Sequence, residues 1–230
     1  MSILNRAVII VPAFNEEAVI LKVIQSIPKR IKGLGKIQVL VVDDGSTDNT
    51  KILVNKTNVS VASHIMNRGL GAAIKTGLEW ARVHNIDLAV TFDGDGQHDP
   101  ADISRVIKPI LDKSADIVIG SRFKKKQRVP LDRLILNWFA NLATLFLFGV
   151  FSTDSQSGLR AFSKKAIKLI DFKADRMEFS SEILLEAKKH SLKTIEIPIR
   201  AIYTAYSRSK GQKNTNAIPV FARHLVRLLR

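Results

Sequence analysis

The sequence predicts an α/β fold: a mostly parallel β-sheet flanked by helices. Five short β-branched runs, "AVIIVPAF", "IQVLVVDDG", "VSVASHIM", "DLAVTFDGD" and "DIVIGSRF", read as buried strands in the first half of the chain. Helical patterns separate them, and strand-helix-strand repetition is satisfied by parallel strands with crossovers on both faces. A length of 230 residues, with 46% hydrophobic and 25% charged residues, fits one large globular domain and neither a disordered chain nor two comfortable domains.

In chain order, the first run (7–14) leads into an amphipathic segment beginning near Asn15. The second (37–45) is followed by Ser46-Thr47-Asp48, in which Ser46 suits a helix N-cap. After the third (59–66) a helix begins near Gly71; "GLGAAI" superficially matches a dinucleotide-binding loop. It follows the third strand instead of the first and ends in Ile74, so turn and helix packing explain it better. The fourth run (87–95) is followed by Asp99-Pro100, a pair suited to the N-cap and first helical position, and the fifth (116–123) ends in Gly120-Ser121-Arg122.

Beyond Pro130 the pattern changes. The segment 134–151, "LILNWFANLATLFLFGVF", is almost wholly apolar, yet Arg133, Asn137, Asn141 and Thr144 would fall on one narrow stripe of a helix. The run is close to the length of a membrane span, and two asparagines count against spanning. A helix lying in the membrane interface with its polar stripe toward the protein is the expectation; a spanning helix and a buried core helix are the alternatives. The tail "IPVFARHLVRLLR" (218–230) is basic and amphipathic, and suits a membrane surface or a partner helix.

In open parallel sheets ligands bind beyond the carboxyl ends of the strands. There the sequence places Pro12 to Glu16, Asp43 to Ser46, Asp93 to Gln97 and Gly120 to Arg122. Asp93 and Asp95 end a buried run, with glycines between them and the Gln97 amide beside them. Acidic residues after strands also bond local backbone N–H groups, but oxygen ligands in this density suit a hard cation, Mg(II) or Mn(II), shared with substrate phosphates. Asp43 and Asp44 are placed to accept hydrogen bonds from ribose hydroxyls or base N–H groups, with Pro12 and Glu16 facing them. His98 reads as an ordering residue for the turn.

Zero cysteines exclude disulfides, thiolate catalysis and cysteine-based metal sites. No apolar leader with a cleavage site is visible in "MSILNRAVII", so exposure to the cytosol is the expectation. The net charge of +15 favours a polyanionic partner: nucleic acid, an anionic membrane surface or a phosphorylated substrate. The excess lies in the second half, notably in "RFKKKQRVPLDR" (122–133) and beyond Arg200.

In this order, "VPAFNEE", "VVDDGSTDNT", "NRGLGAAIKTG", "DGDGQHDP", "GSR" and "DSQSGLRAFS" resemble the catalytic domain of a family 2 glycosyltransferase of GT-A fold, over about residues 6–206. The likeness is greatest to the branch that transfers mannose or glucose to dolichyl or polyprenyl phosphate. The resemblance implies a GDP-mannose or UDP-glucose donor, a metal-held diphosphate and inversion at the anomeric carbon. It implies a donor site at Pro12, Phe14, Glu16, Asp43, Asp44, Asp93, Gly94 and Asp95, with Arg208 and Lys210 on a loop approaching the diphosphate. The metal falls to Asp95 and Gln97, and the acceptor phosphate to Arg122, Arg133 and Asn137; Asp95, Arg122 and Arg133 carry catalysis. Arg160 in "SGLRAF" is either structural or faces the acceptor.

On this reading 1–206 is the catalytic domain, including the 131–151 interface helix, and 207–230 is a basic loop and amphipathic helix. The protein sits on the cytoplasmic face of a membrane, peripheral or monotopic, without nucleic acid. An absence supports the lipid acceptor: the family's chain-extending synthases carry a Gln-x-x-Arg-Trp segment, and this chain has none. A phosphate monoester has a second pKa of about 6, so it needs aiming and no base. Were the acceptor a sugar, Glu178 and Glu182 are the remaining base candidates. The rival from another class is a basic nucleic-acid-binding module, against which the clustered aspartates count, as does the lack of a helix-turn-helix or RNA-binding signature.

Overall fold

The computed structural model describes residues 4–125, 129 and 131–202. Seven strands form one sheet: β1 (Leu4–Ala13), β2 (Leu34–Asp43), β3 (Ser60–Ser63), β4 (Leu88–Thr91), β5 (Ile117–Ser121), β6 (Arg160–Ser163) and β7 (Thr194–Pro198). Their spatial order is β3-β2-β1-β4-β6-β5-β7. All pairings are parallel except those of β6, which runs antiparallel to β4 and β5. The chain leaves β1 toward β2 and β3 on one side and returns to β4 on the other, which opens a crevice at the carboxyl ends of β1, β2 and β4.

Helices α1 (Ile20–Ser26), α2 (Thr50–Asn55) and α4 (Ala101–Leu111) cover one face; α3 (Leu70–Val83), α6 (Lys164–Leu169) and α7 (Phe179–Lys189) cover the other. The alternation along β1 shows why its run is continuously apolar. Ala7, Ile9 and Val11 enter the first core while Val8 and Ile10 enter the second, all fully buried.

The third run is a correction to the sequence reading. β3 is a four-residue edge strand whose residues are exposed or half-buried, because it has a neighbour on one side only. The strands β6 and β7 were not anticipated. "RAFS" is short and sits inside a polar motif, and "TIEIP" is only half-buried throughout.

Helix starts shift for local reasons. Asn15 adopts φ 54°, and α1 begins five residues later, at Ile20. Ser46 does not cap α2, which starts at Thr50; Asp48 accepts the Thr50 N–H at 2.9 Å, while the Ser46 hydroxyl accepts the Asn15 N–H at 3.0 Å. Asp99 performs its expected task, accepting the Ala101 N–H at 3.0 Å, with Pro100 at helical φ.

The apolar segment forms α5 (Leu131–Phe148), and Gly149 at φ 60° ends it with its N–H on the Leu145 carbonyl. Among the described residues no helix is long and apolar enough to cross a membrane.

Candidate active site

The β1 and β2 ends are locked together by side chains. Asn15 Oδ1 accepts the Thr47 N–H at 2.8 Å, the Thr50 hydroxyl accepts the Glu16 N–H at 2.7 Å, and Asp48 accepts the Glu17 N–H at 3.1 Å. Glu17 returns the contact by accepting the Asn49 N–H at 3.0 Å. The left-handed Asn15 turns the chain so that these groups meet, and it holds Phe14 40% exposed at the rim while Pro12, Glu16, Asp43 and Asp44 lie buried beneath.

Asp43 accepts the Ser46 N–H at 3.3 Å. Asp44, expected to meet the nucleotide, turns both oxygens into the protein. Oδ1 meets His64 Nδ1 at 2.6 Å and accepts the Arg68 N–H at 3.0 Å; Oδ2 accepts the Gly69 N–H at 2.7 Å. Burial without these donors would be costly, so Asp44 fastens the 64–69 loop to the end of β2. His64 completes the chain to the Thr76 hydroxyl at 2.9 Å.

Beyond β4, His98 orders the turn as expected. It is 4% exposed and its Nε2 lies 3.0 Å from Asp93 Oδ2. Its backbone bridges to Ala201, and the Gln97 carbonyl accepts the Ile202 N–H at 2.9 Å, so the acidic turn is tied to the chain beyond β7. Burial opposes ionisation of Asp93, but His98, with Arg122 and Arg160 behind it, outweighs burial and holds the carboxyl below its usual range. Burial, and then the charge of Asp93, push Asp95 above its usual range against the bonds from Gln97.

This donor set fits a hard divalent cation. Two carboxylates within electrostatic reach leave Asp95 short of positive charge, and the Gln97 amide lies against Asp95. Its Nε2 now donates to Asp95 Oδ2, and half a turn of the amide presents Oε1 instead. Among the described residues no three His, Asp or Glu side chains could hold a metal unaided. Ligands from a bound substrate are therefore part of the fit.

Arg122, expected at the acceptor phosphate, forks onto Asp154. Its N–H and Nε donate to Oδ2 at 2.9 and 2.8 Å, and Nη2 donates to Oδ1 at 2.7 Å. Asp154 is fully buried, whereas Arg122 is 22% exposed. Sequence reasoning missed Asp154; its place in the quoted "DSQSGLRAFS" motif was the available signal.

Arg160 is structural. It is 1% exposed and donates to the carbonyls of Ser155, Ser157 and Ser180, and burial lowers its pKa to about 10. Glu182 Oε2 accepts the N–H groups of Lys173 and Ala174 at 2.8 and 2.9 Å, and Glu178 is buried. Neither stands as an exposed base.

The polar stripe of α5 does face the protein. Asn137 and Asn141 both donate to the Thr153 carbonyl, at 2.9 and 2.8 Å, and the Thr144 hydroxyl lies 2.8 Å from that of Ser181. On the other side Leu131, Ile135, Trp138, Phe139 and Phe146 are more than half exposed. A cleft along this side is lined by Phe123, Leu134, Ile135 and Trp138 and reaches Asn137 and Thr153. Arg133 belongs to α5, but its side chain, like Arg208 and Lys210, lies outside the described residues.

A mostly parallel sheet of this order, with an acidic turn beyond β4 at its switch point, is the arrangement of the GT-A fold. Residues 8–170 match glycosyl transferase family 2, and the chain belongs to that family. A UDP-N-acetylglucosamine–dolichyl-phosphate N-acetylglucosaminyltransferase of Methanococcus voltae is 39% identical, over 95% of this chain and 94% of that protein. A polyprenol monophosphomannose synthase of Mycolicibacterium smegmatis is 31% identical, over 85% of this chain and 77% of that one. Among solved structures, glucosyl-3-phosphoglycerate synthase of Mycobacterium tuberculosis, in complex with Mn2+, UDP-glucose and phosphoglyceric acid, shares the fold. Its TM-score is 0.69 at 20% identity, covering 95% of this chain and 79% of that one. The protein is a glycosyltransferase.

Proposed function

We propose that this glycosyltransferase moves a sugar, with inversion, from a nucleotide sugar to a polyprenyl or dolichyl phosphate at the cytoplasmic face of a membrane. The observation that carries the reading is α5. Its polar stripe is spent on the Thr153 carbonyl and on Ser181 inside the protein, and its apolar face is left exposed along a cleft that reaches Thr153, the neighbour of the Asp154 that holds Arg122. An acceptor with a charged head and an apolar tail matches that juxtaposition. The named activities of the two lipid-phosphate transferases support it.

The donor's nucleoside lies between Phe14 with Glu16 and Asp43, over the loop fastened by Asp44, and its diphosphate lies at Asp93, Gly94 and Asp95. Arg208 and Lys210 approach that diphosphate from the chain beyond Ile202. Asp95 and the Gln97 oxygen would hold Mg(II) or Mn(II), which when bound supplies the positive charge that steadies the departing nucleoside diphosphate.

Arg122, aimed by Asp154, binds the acceptor phosphate together with Arg133 and Asn137. A phosphate oxygen attacks the anomeric carbon as the bond to the donor diphosphate breaks. The acceptor, a dianion near neutral pH, gives up no proton, and no side chain is needed as a base. The engaged Glu182 and buried Glu178 agree with this and count against a saccharide acceptor.

Residues 1–206 form the catalytic domain on this reading. The 131–151 segment lies in the membrane interface, and the basic 207–230 segment meets the anionic membrane surface; nucleic acid has no part. The identity of the sugar is a matter for the assay. Transfer from labelled GDP-mannose, UDP-glucose and UDP-N-acetylglucosamine to a polyprenyl phosphate, with Mg(II), Mn(II) or chelator, should yield a metal-dependent glycolipid from one donor. Donor hydrolysis without glycolipid would overturn the lipid acceptor.

A further inference from the structure

We propose that Asp154 and Asn141 are positioning residues for Arg122, joined through the Thr153–Ser155 turn so that the seating of α5 sets the aim of the guanidinium. The inference rests on the acceptor-phosphate role given to Arg122 above.

The amide of Asn141 brackets residue 154. Nδ2 donates to the Thr153 carbonyl at 2.8 Å, and Oδ1 accepts the Ser155 N–H at 2.9 Å. Between these two bonds sits Asp154, fully buried, both of whose carboxylate oxygens receive the Arg122 side chain. A planar guanidinium held by a two-pronged contact has little rotational freedom left. The direction of Arg122 is therefore set by where Asp154 stands, and Asp154 stands where Asn141 holds its neighbours.

The turn is anchored from the other side by β7. Glu196 Oε1 accepts the Ser152 hydroxyl and the Thr153 N–H at 2.7 and 2.8 Å, and Oε2 accepts the Thr153 hydroxyl at 2.5 Å. The Ser121 hydroxyl, one residue before Arg122, reaches the Thr153 hydroxyl at 2.7 Å. With its carbonyl, N–H and hydroxyl all engaged, the half-buried Thr153 cannot shift without breaking several bonds at once. The turn is thus one bonded unit with α5 on one side and β7 on the other, and Arg122 is aimed from within that unit.

The same helix lines the apolar cleft, and Asn141 and Thr153 are themselves among the cleft's lining residues. An apolar chain lying there touches the link directly. The geometry gives the tail of an acceptor a means to align the arginine that meets its head.

Two acceptors test this: a full-length polyprenyl phosphate, whose tail fills the cleft, and a short water-soluble prenyl phosphate presenting the same head. Asn141→Ala should lower kcat for both acceptors, about twofold for the short one and about tenfold for the long one, whose tail also bears on the link, since a misplacement near 1 Å can cost up to about a hundredfold. Asp154→Asn, which keeps the shape and removes the charge, should lower kcat/KM for both acceptors by about a hundredfold. Donor affinity, measured by calorimetry with UDP and Mn(II), should remain at the wild-type value in both variants, showing that the fold survives.

Equal loss on both acceptors in Asn141→Ala, or no loss on either, would overturn the coupling. So would wild-type activity in Asp154→Asn. If the wild-type protein glycosylates neither acceptor, the acceptor-phosphate reading fails first and this inference falls with it. If it uses both and Asn141→Ala does not tell them apart, the coupling alone fails.

Discussion

Asp95 sits in a balance that a single proton or cation can tip. Burial and the Asp93 charge hold its pKa above the ordinary value, so its ionised form destabilises the fold at any pH above that raised value. The penalty disappears as the pH falls below the ordinary carboxylate range, where the group is neutral in both states. Asp95→Asn should accordingly raise Tm at pH 7 without metal, by a few degrees, and the gain should vanish in an acid titration followed by calorimetry. The same variant, like Asp95→Ala, should lose metal-dependent transfer; full activity in Asp95→Ala would remove the role assigned to this carboxylate. Asp93 has the opposite sign, contributing stability that is lost as pH falls through its lowered pKa. Its position depends on an absent side chain: a Cβ on Gly158 would stand 2.0 Å from Asp93 Oδ2. Gly158→Ala should therefore displace the acidic turn, costing about 1–3 kcal/mol in denaturant unfolding together with most of the transfer activity.

At the scale of elements, α5 is the one whose exposed face is out of keeping with burial in water. Its exposed apolar residues stabilise the folded monomer little, because they are not removed from water. The triple change of Ile135, Trp138 and Phe139 to serine should cost little stability, within about 1.5 kcal/mol at about 0.5 kcal/mol for each surface substitution. It should markedly weaken sedimentation with anionic vesicles, and an unaltered vesicle affinity would refute an interfacial role. The inward face of Asn137, Asn141 and Thr144 was legible in their spacing. Its partners were not, because the helical period says nothing of the turn after α5 that brings the Thr153 carbonyl back, and the Ser181 hydroxyl comes from a helix 37 residues on. β6 and β7 escaped notice for a related reason. Short strands with mixed exposure carry a weak periodic signal, and their pairing with β4 and β5 supplies what their sequences lack.

For the whole molecule, donor and metal binding should be linked. UDP with Mn(II) at about a hundred times Kd should add about 2.7 kcal/mol of stability, read as a higher Tm that chelator reverses. A net charge of +15 should make vesicle binding fall as salt rises. The carboxyl ends of β1, β2 and β4 could be placed together from sequence because apolar runs separated by helices allow few topologies, and a parallel sheet gathers its strand ends on one edge. The sequence by itself therefore determined the α/β class, the family resemblance, the acidic turn and the two-sided character of α5. Only the tertiary structure decided which carboxylates face inward. Asp44 fastens a loop and Asp154 grips Arg122, because a charged group's role follows from the donors that burial brings to it, and those donors lie 20 or more residues away along the chain.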